Sequence, residues 1–267
     1  MKIKKPYLIL KCIIIISLIL ILNACNSFTN ISIINDKNWK SYYNQINHQP
    51  SEIFVKKALE EAVELYGYTL FKINHVNLVR SKKKRAFSHL LIQEDFSLTE
   101  ILDSSDGSVV IYIGVDIENE NYYPLLAHEV FHLLNPYIND WYMEGMASVF
   151  AESYCLKNNL ISGDWSEAFT KNKKDPYFTS FYMMKKIKQI LPNAYNSLLT
   201  FTCDDPNSEL WKKIDINKWL DTLKENERKD IIKIIKDYEN ILKRKTDVAF
   251  TIPNEYAINN LSEKNTE

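Results

Sequence analysis

Two histidines lie four positions apart in the stretch LLAHEVFHLLNP, and a glutamate directly follows the first of them. In an α-helix this separation places both side chains near one face, one turn apart, so His128 and His132 could bind one metal ion. Zinc accepts neutral imidazole nitrogen, and a catalytic zinc site needs a third protein ligand and one position for water. Glu129, about 100° around the helix from His128, could then accept a proton from that water as a general base.

The flanking residues predict that this helix is regular. Asn121 can cap it, Pro124 suits its first turn, and Asn135-Pro136 stops it, so we expect a helix over residues 121–134. Two histidines on an ordinary core helix remain the alternative to a metal site. The decision between the two depends on a third ligand.

A candidate for that ligand lies at the start of the next predicted helix, in the segment DWYMEGMAS. Together, HEVFH and WYMEGMAS resemble the gluzincin metallopeptidases, in which HExxH is followed by a Trp-x-x-Glu-Gly-x-Ala segment. The resemblance implies that His128, His132 and Glu144 bind Zn²⁺ and that Glu129 is the catalytic base. It also implies a zincin-like fold and the hydrolysis of peptide bonds in a peptide or protein substrate.

One departure from the family concerns spacing. The interval between His132 and Glu144 is shorter than in thermolysin-like or aminopeptidase-like members, and their spacing alone would select Glu152. Glu144 and Glu152 are two turns apart, about 12 Å along one helix, so they cannot bind the same ion. The surrounding motif favours Glu144. A short connection after Pro136 would let the second helix pack beside the first, and Gly145 would permit a close approach.

The resemblance also implies parts of a substrate cleft. Residues 108–116, SVVIYIGVD, occupy the place of the gluzincin edge strand, which binds extended peptide by main-chain pairing. An ordinary internal strand is the alternative. By the same resemblance, Tyr177 or Tyr182, at the start of a later helix, could stabilise the oxyanion. His48, His75 and His89 lack ligand spacing and are expected to be structural or exposed.

The elements that must position these residues predict an α+β fold. A helix is expected over residues 51–67, followed by β-type runs at 68–79, 86–93 and 108–116. The rest reads as mainly helical, with segments at residues 121–134, 140–158, 176–191, 193–201 and 224–243. We therefore expect a small mixed sheet with an edge strand over the HExxH helix, followed by a mainly helical C-terminal part.

The amino-terminal residues predict export. A lysine-bearing segment precedes the short apolar run CIIIISLILIL, and the sequence from Leu22 to Cys25 resembles the lipobox of bacterial lipoproteins. The resemblance implies a signal peptide over residues 1–24, lipidation of Cys25 and a lipid-anchored location in the cell envelope. An uncleaved anchor is the alternative, although the apolar run is shorter than the roughly 20 residues that span a membrane.

The remaining chain divides into a tether over residues 25–45, a metallopeptidase-like domain over 46–250 and a flexible polar tail over 251–267. Without the four lysines before Cys25, the chain keeps 33 − 4 = 29 basic and 34 acidic residues, a net charge near −5, which argues against nucleic acid as a partner. Cys155 and Cys203 could form a disulfide or remain free thiols.

The sequence thus favours a lipid-anchored zinc metallopeptidase over a catalytically inactive zincin-fold lipoprotein that binds a partner. A purely structural zinc site has no need of a base at Glu129 and usually lacks an open position.

Overall fold

The computed structural model of the protein describes residues 43–67, 69–70, 72–81, 97–162, 175–244 and 248–253. The predicted signal peptide, Cys25, His89 and the β-type run at 86–93 lie outside these ranges. Within them, no helix combines the length and the apolar character needed to cross a membrane.

The described elements form an α+β arrangement, as predicted. The N-terminal part contains β1 (Tyr43–Gln45), α1 (Gln49–Tyr66), β2 (His75–Ser81), β3 (Leu98–Asp103) and β4 (Ser108–Tyr112). Two central helices follow, α2 (Tyr122–His132) and α3 (Trp141–Lys157). The C-terminal part contains α4 (Pro176–Ile190), α5 (Pro192–Tyr195), a 3₁₀ turn at Leu198–Thr200, β5 (Thr202–Asp204), β6 (Lys212–Ile214), α6 (Ile216–Leu220) and α7 (Glu225–Leu242).

The main sheet is mixed, with the strand order β1-β2-β4-β3. β2 runs parallel to β4, whereas β1 pairs antiparallel with β2 and β3 pairs antiparallel with β4. The edge-strand prediction for residues 108–116 is therefore wrong, because β4 has a neighbour on each side. Its consecutive apolar residues Val109, Val110 and Ile111 are fully buried, as is typical of an internal strand covered on both faces.

Among the described strands, the outermost one next to β4 is β3, which the sequence did not indicate as a strand. Its sequence LTEILD is mostly half-buried, and only Thr99 is classed as buried. At the opposite edge, β1 is formed by the last three residues of the segment predicted as a tether. Tyr43 is buried there and packs edge-on against Tyr112, with ring centroids 5.5 Å apart. Burial of this aromatic side chain accounts for the ordering of a short polar segment.

The two central helices form the middle of the hydrophobic core. Leu126, Ala127, Val130 and Phe131 of α2 are fully buried, and α1 covers them with Tyr66, whose ring centroid is 4.9 Å from that of Phe131. α3 is buried almost all around because it lies between α2 and α4. The helix that carries Glu144 is consequently held on both sides.

Gly145 sets how closely α3 and α4 can approach. A Cβ atom added there would lie 2.4 Å from Cγ of Met184, 2.5 Å from the main-chain oxygen of Ser180 and 2.6 Å from its Oγ. Ser180 in turn donates a short hydrogen bond to the main-chain oxygen of Trp141. The predicted close approach at Gly145 is therefore present, and the partner helix is α4.

We expect Gly145→Ala to lower the free energy of unfolding by about 1–3 kcal/mol, because the methyl group overlaps main-chain atoms of α4 that cannot move independently. This outweighs the gain of up to about 1 kcal/mol that alanine has over glycine in a helix. Urea denaturation measures the change. Ser153→Ala, at an exposed position of the same helix, is the control and should change stability by less than about 0.5 kcal/mol. Equal stability of Gly145→Ala and the wild type would contradict the packing argument.

Candidate metal centre

Three side chains from α2 and α3 meet at one point. Nε2 of His128 lies 3.2 Å from Nε2 of His132 and 3.2 Å from Oε2 of Glu144. Nε2 of His132 lies 3.7 Å from Oε1 of the same carboxylate. Their side chains are 11% to 15% exposed, so the group sits near the surface of the core rather than in open solvent.

The spacing of these atoms suits a metal ion. One ligand atom from each of His128, His132 and Glu144 can be chosen so that the three atoms lie within 4.8 Å of one another. Ligand atoms held about 2.1 Å from a tetrahedral zinc ion are roughly 3.4 Å apart, which is close to the separations in this group. The three residues could therefore hold one ion, and two imidazoles with one carboxylate are a donor set that divalent transition metals accept.

Ser148, one turn after Glu144 on α3, contacts the second ring nitrogen of His128. Its hydroxyl has one proton and donates it to the main-chain oxygen of Glu144 at 3.0 Å. Nδ1 of His128 lies 3.2 Å from the same Oγ. In the tautomer that protonates Nδ1, this nitrogen donates to Oγ and the lone pair of Nε2 faces the Glu144 carboxylate.

This tautomer creates a demand for positive charge. The Nε2 lone pair of His128 and the ionised Oε2 of Glu144 are both acceptors, and at 3.2 Å they repel each other unless a proton or a cation lies between them. An added proton serves only one pair of atoms, whereas a metal ion can satisfy all three residues. In this tautomer, one cation could therefore be accommodated between the three side chains.

The start of α3 is fixed by its N-cap. Asp140 is fully buried, and its carboxylate accepts hydrogen bonds from the main-chain N–H groups of Tyr142 at 2.8 Å and of Ile214 at 3.2 Å. The first bond caps the helix and the second ties it to β6. Because Glu144 is in the first turn, this cap fixes the third candidate ligand.

The connection between the two helices is held on both sides by later parts of the chain. Lys212 of β6 donates its N–H to the oxygen of Tyr137 at 2.8 Å, and Ala249 donates to the oxygen of Asn139 at 3.1 Å. The hydroxyl of Tyr142 donates to the oxygen of Thr251 at 2.7 Å, so the first residue of the predicted tail contacts α3. The distance between the histidines and Glu144 therefore depends on contacts remote in sequence.

Glu129 lies beside the group without belonging to it. Its carboxylate is buried, and Oε2 accepts a hydrogen bond from the hydroxyl of Thr99 on β3 at 2.8 Å. Burial raises the pKa of Glu129 above its ordinary value, although the two histidines and the Thr99 hydroxyl oppose the shift. A raised pKa makes the ionised carboxylate a stronger base, which suits Glu129 to accept a proton.

His132 and Glu144 shift each other's pKa through their opposite charges. Burial by itself would lower the pKa of His132, but the Glu144 carboxylate outweighs it and the pKa is raised. For Glu144, burial would raise the pKa, yet the two imidazoles hold it well below its usual range. Glu144 is therefore an ionised acceptor at neutral pH.

Glu152, which family spacing alone would select, is engaged elsewhere. Its Oε1 lies 2.9 Å from Nζ of Lys185 on α4, and Glu152 is not in the group that the structure brings together with the histidines. Tyr177 and Tyr182, the possible oxyanion stabilisers, are half-buried on α4. The ring of Tyr177 packs against Trp141, with centroids 5.0 Å apart, and that of Tyr182 packs against Phe178 and Phe181.

The other histidines and cysteines that the structure describes lie outside the group. Nδ1 of His48 lies 2.7 Å from Oγ of Ser51 near the start of α1, and His75 is exposed on β2. Cys155 is buried and Cys203 half-buried, and both are free thiols. Burial raises the pKa of Cys155 to about 12, so this thiol is not ionised at neutral pH.

Two contributors to the site were not anticipated from sequence. Ser148 ends the quoted motif and lies four residues after Glu144, a helical spacing that places it on the same face, but only its contact with His128 reveals a role. Thr99 has no sequence signal, because its contact with Glu129 depends on where β3 lies relative to α2.

Comparison of the chain with protein-family models, with curated proteins and with solved structures finds no match.

The metal site can be tested by removing each candidate carboxylate in turn. We expect Glu144→Ala to weaken zinc binding by more than about 100-fold, since loss of an outer hydrogen-bond partner alone commonly costs 10- to 100-fold. Equilibrium dialysis with metal analysis measures the affinity.

Glu152→Ala is the matched control, since it removes a buried carboxylate from the same helix. We expect it to keep wild-type zinc affinity and to lower the urea midpoint, because it removes the carboxylate that Lys185 binds. The reverse pattern, with zinc lost in Glu152→Ala and kept in Glu144→Ala, would exclude the proposed third ligand.

Proposed function

We propose that this protein is a zinc-dependent hydrolase that cleaves peptide bonds, with the site organisation of a gluzincin metallopeptidase. The observation that carries the proposal is the meeting of His128, His132 and Glu144 next to the buried carboxylate of Glu129. The sequence motifs HEVFH and WYMEGMA support it, because they supply each of these residues in the order that the family uses.

The donor set favours zinc as the metal. Two imidazoles and one carboxylate are the three protein ligands of catalytic zinc in several metallopeptidases, with a position left for water. When bound, such an ion acts as a Lewis acid and makes water a nucleophile at neutral pH. His128, His132 and Glu144 would hold it, with Ser148 contacting Nδ1 of His128.

Glu129 is assigned the proton transfers. Its carboxylate would accept a proton from the attacking water and return it to the leaving nitrogen of the cleaved bond. Burial favours this role, because it raises the basicity of the carboxylate above that of an exposed glutamate. A site that only binds a metal has no use for a buried carboxylate placed beside the ligands.

The substrate we propose is an extended peptide. β3 ends the described sheet on the side of the candidate site, and its Thr99 contacts Glu129. A peptide bound along β3 by main-chain pairing would place a peptide bond near Glu129 without requiring particular side chains. In this proposal β3, rather than residues 108–116, is the strand that binds the peptide.

For the location, we propose a lipid-anchored protein of the cell envelope. The proposal rests on the lysine-bearing leader, the short apolar run and the lipobox-like sequence that ends at Cys25. A lipid on Cys25 would attach the domain to a membrane surface through residues 26–42.

The hydrolase proposal predicts that Glu129→Gln abolishes cleavage while zinc is retained. The amide has nearly the shape of the carboxylate but cannot accept the proton, so we expect turnover to fall by at least about 100-fold. The measurement is mass spectrometry of a mixed peptide library incubated with zinc-loaded protein, with zinc content determined on the same samples. A wild-type protein that binds zinc and cleaves nothing in the library would instead support the alternative of a binding module.

The location proposal predicts that a fatty-acid precursor labels the wild-type protein in bacterial cells and not Cys25→Ala, because the acyl chain would be attached at this residue. Cys12→Ala removes a cysteine of the leader and should remain labelled. Equal labelling of the wild type and Cys25→Ala would rule out lipidation at Cys25.

A further inference from the structure

Thr99 contacts Glu129 from the interior of the protein. It lies on β3 opposite Ile111 of β4, and its Oγ1 reaches α2, where it is 2.8 Å from Oε2 and 2.9 Å from the main-chain oxygen of Glu129. Thr99 is 9% exposed and Glu129 is 5% exposed. The contact therefore forms in a place from which solvent is largely removed, where a hydrogen bond to a carboxylate is strong.

We propose that Thr99 is a positioning residue for the general base, and that its hydroxyl holds the Glu129 carboxylate in the orientation that accepts a proton. This inference rests on the proposed hydrolase function. β3 thereby positions the base in addition to pairing with β4.

The number of protons on the hydroxyl supports this role. A threonine hydroxyl can donate one hydrogen bond, and both acceptors in reach belong to Glu129. A bond to the charged carboxylate oxygen Oε2 is stronger than one to the main-chain oxygen. The hydroxyl therefore contacts the base itself and not only the main chain of α2.

If the contact only joined β3 to α2, a bond from the Thr99 hydroxyl to the main-chain oxygen of Glu129 would be enough. The carboxylate would not be involved. Among the described residues, the Thr99 hydroxyl is the one hydrogen-bond donor to the Glu129 carboxylate. The candidate ligand His128 is held separately, by Ser148. Loss of the Thr99 hydroxyl should consequently affect the base and leave the metal group intact.

The experiment compares Thr99→Val with Thr99→Ser. Valine keeps a β-branched side chain suited to a strand but removes the hydroxyl, and serine keeps the hydroxyl. On the peptide that the zinc-loaded wild type cleaves fastest in a mixed library, we expect kcat of Thr99→Val to fall by about 10- to 100-fold, because the base is misplaced. KM should change by less than about twofold, since substrate contacts are untouched. Thr99→Ser should restore most of kcat, and zinc content should be equal in all three proteins.

Controls separate this role from a general loss of structure. Thr179→Val removes the hydroxyl of another buried threonine, which donates to the main-chain oxygen of Asp175, the N-cap of α4, at 2.8 Å, and should have wild-type kcat. Circular dichroism checks the folding of each variant. Thr99→Ala, which places no methyl group against the carboxylate, is measured in parallel in case valine prevents folding.

The outcomes distinguish this inference from the proposed function. Cleavage by the wild type together with an unchanged kcat in folded Thr99→Val and Thr99→Ala would overturn the role of Thr99 alone. A loss of kcat that serine does not restore, or one accompanied by loss of zinc, would overturn it as well. A zinc-loaded wild type that cleaves no peptide would overturn the hydrolase and the positioning role together.

Discussion

Burying ionisable groups side by side inside a protein costs folding free energy, because each loses its contact with water. His128, His132 and Glu144 are buried together in this way, and the attraction between the Glu144 carboxylate and the imidazoles, which raises the pKa of His132 and lowers that of Glu144, offsets part of the cost. The packing of α2 against α3 must supply the rest. A cation bound between the three side chains would stabilise the folded state further.

The packing around α3 shows how the contact is enforced. On one side, the missing side chain of Gly145 lets α4 approach to main-chain contact. At its start, Asp140 fixes the first turn through two main-chain N–H groups, one of them on β6. The connection back to α2 is paired with Lys212 and Ala249. Every one of these contacts restricts the position of Glu144, so the geometry of the candidate site is imposed by elements from the whole C-terminal half.

How much of this was predictable depends on the range of the interaction. The ends of α2, α3, α4 and α7 follow from caps, prolines and periodicity, which are local, and each agrees with the prediction within two residues. The three candidate ligands were also predictable from sequence, because His128 and His132 have helical spacing and Glu144 lies in a motif on the next helix. The motif pointed to Glu144, and the structure then places Glu152 in a pair with Lys185.

What the sequence could not supply are pairings between distant segments. Strand order is one, since the apolar run of β4 fits an edge or an internal strand until its partners are known. The strand β1, the contacts of Lys212 and Ala249 with the connection, and the hydrogen bond from Thr99 to Glu129 are others. Apart from the pairing of β3 with β4, each joins residues at least 30 positions apart, and no periodicity marks them in advance.

Glu129 gives the strongest reason to regard this arrangement as more than a stable core. Two histidines and two glutamates are gathered in a place where apolar side chains of similar volume would commonly be neutral or stabilising for the fold. If metal binding alone were the purpose, His128, His132 and Glu144 would suffice, and a fourth buried ionisable group would only add a desolvation cost. Glu129 nevertheless accepts a hydrogen bond from another element of the fold, the strand β3. A carboxylate that is buried and hydrogen-bonded beside a candidate metal site agrees with the proton-transfer role proposed for Glu129.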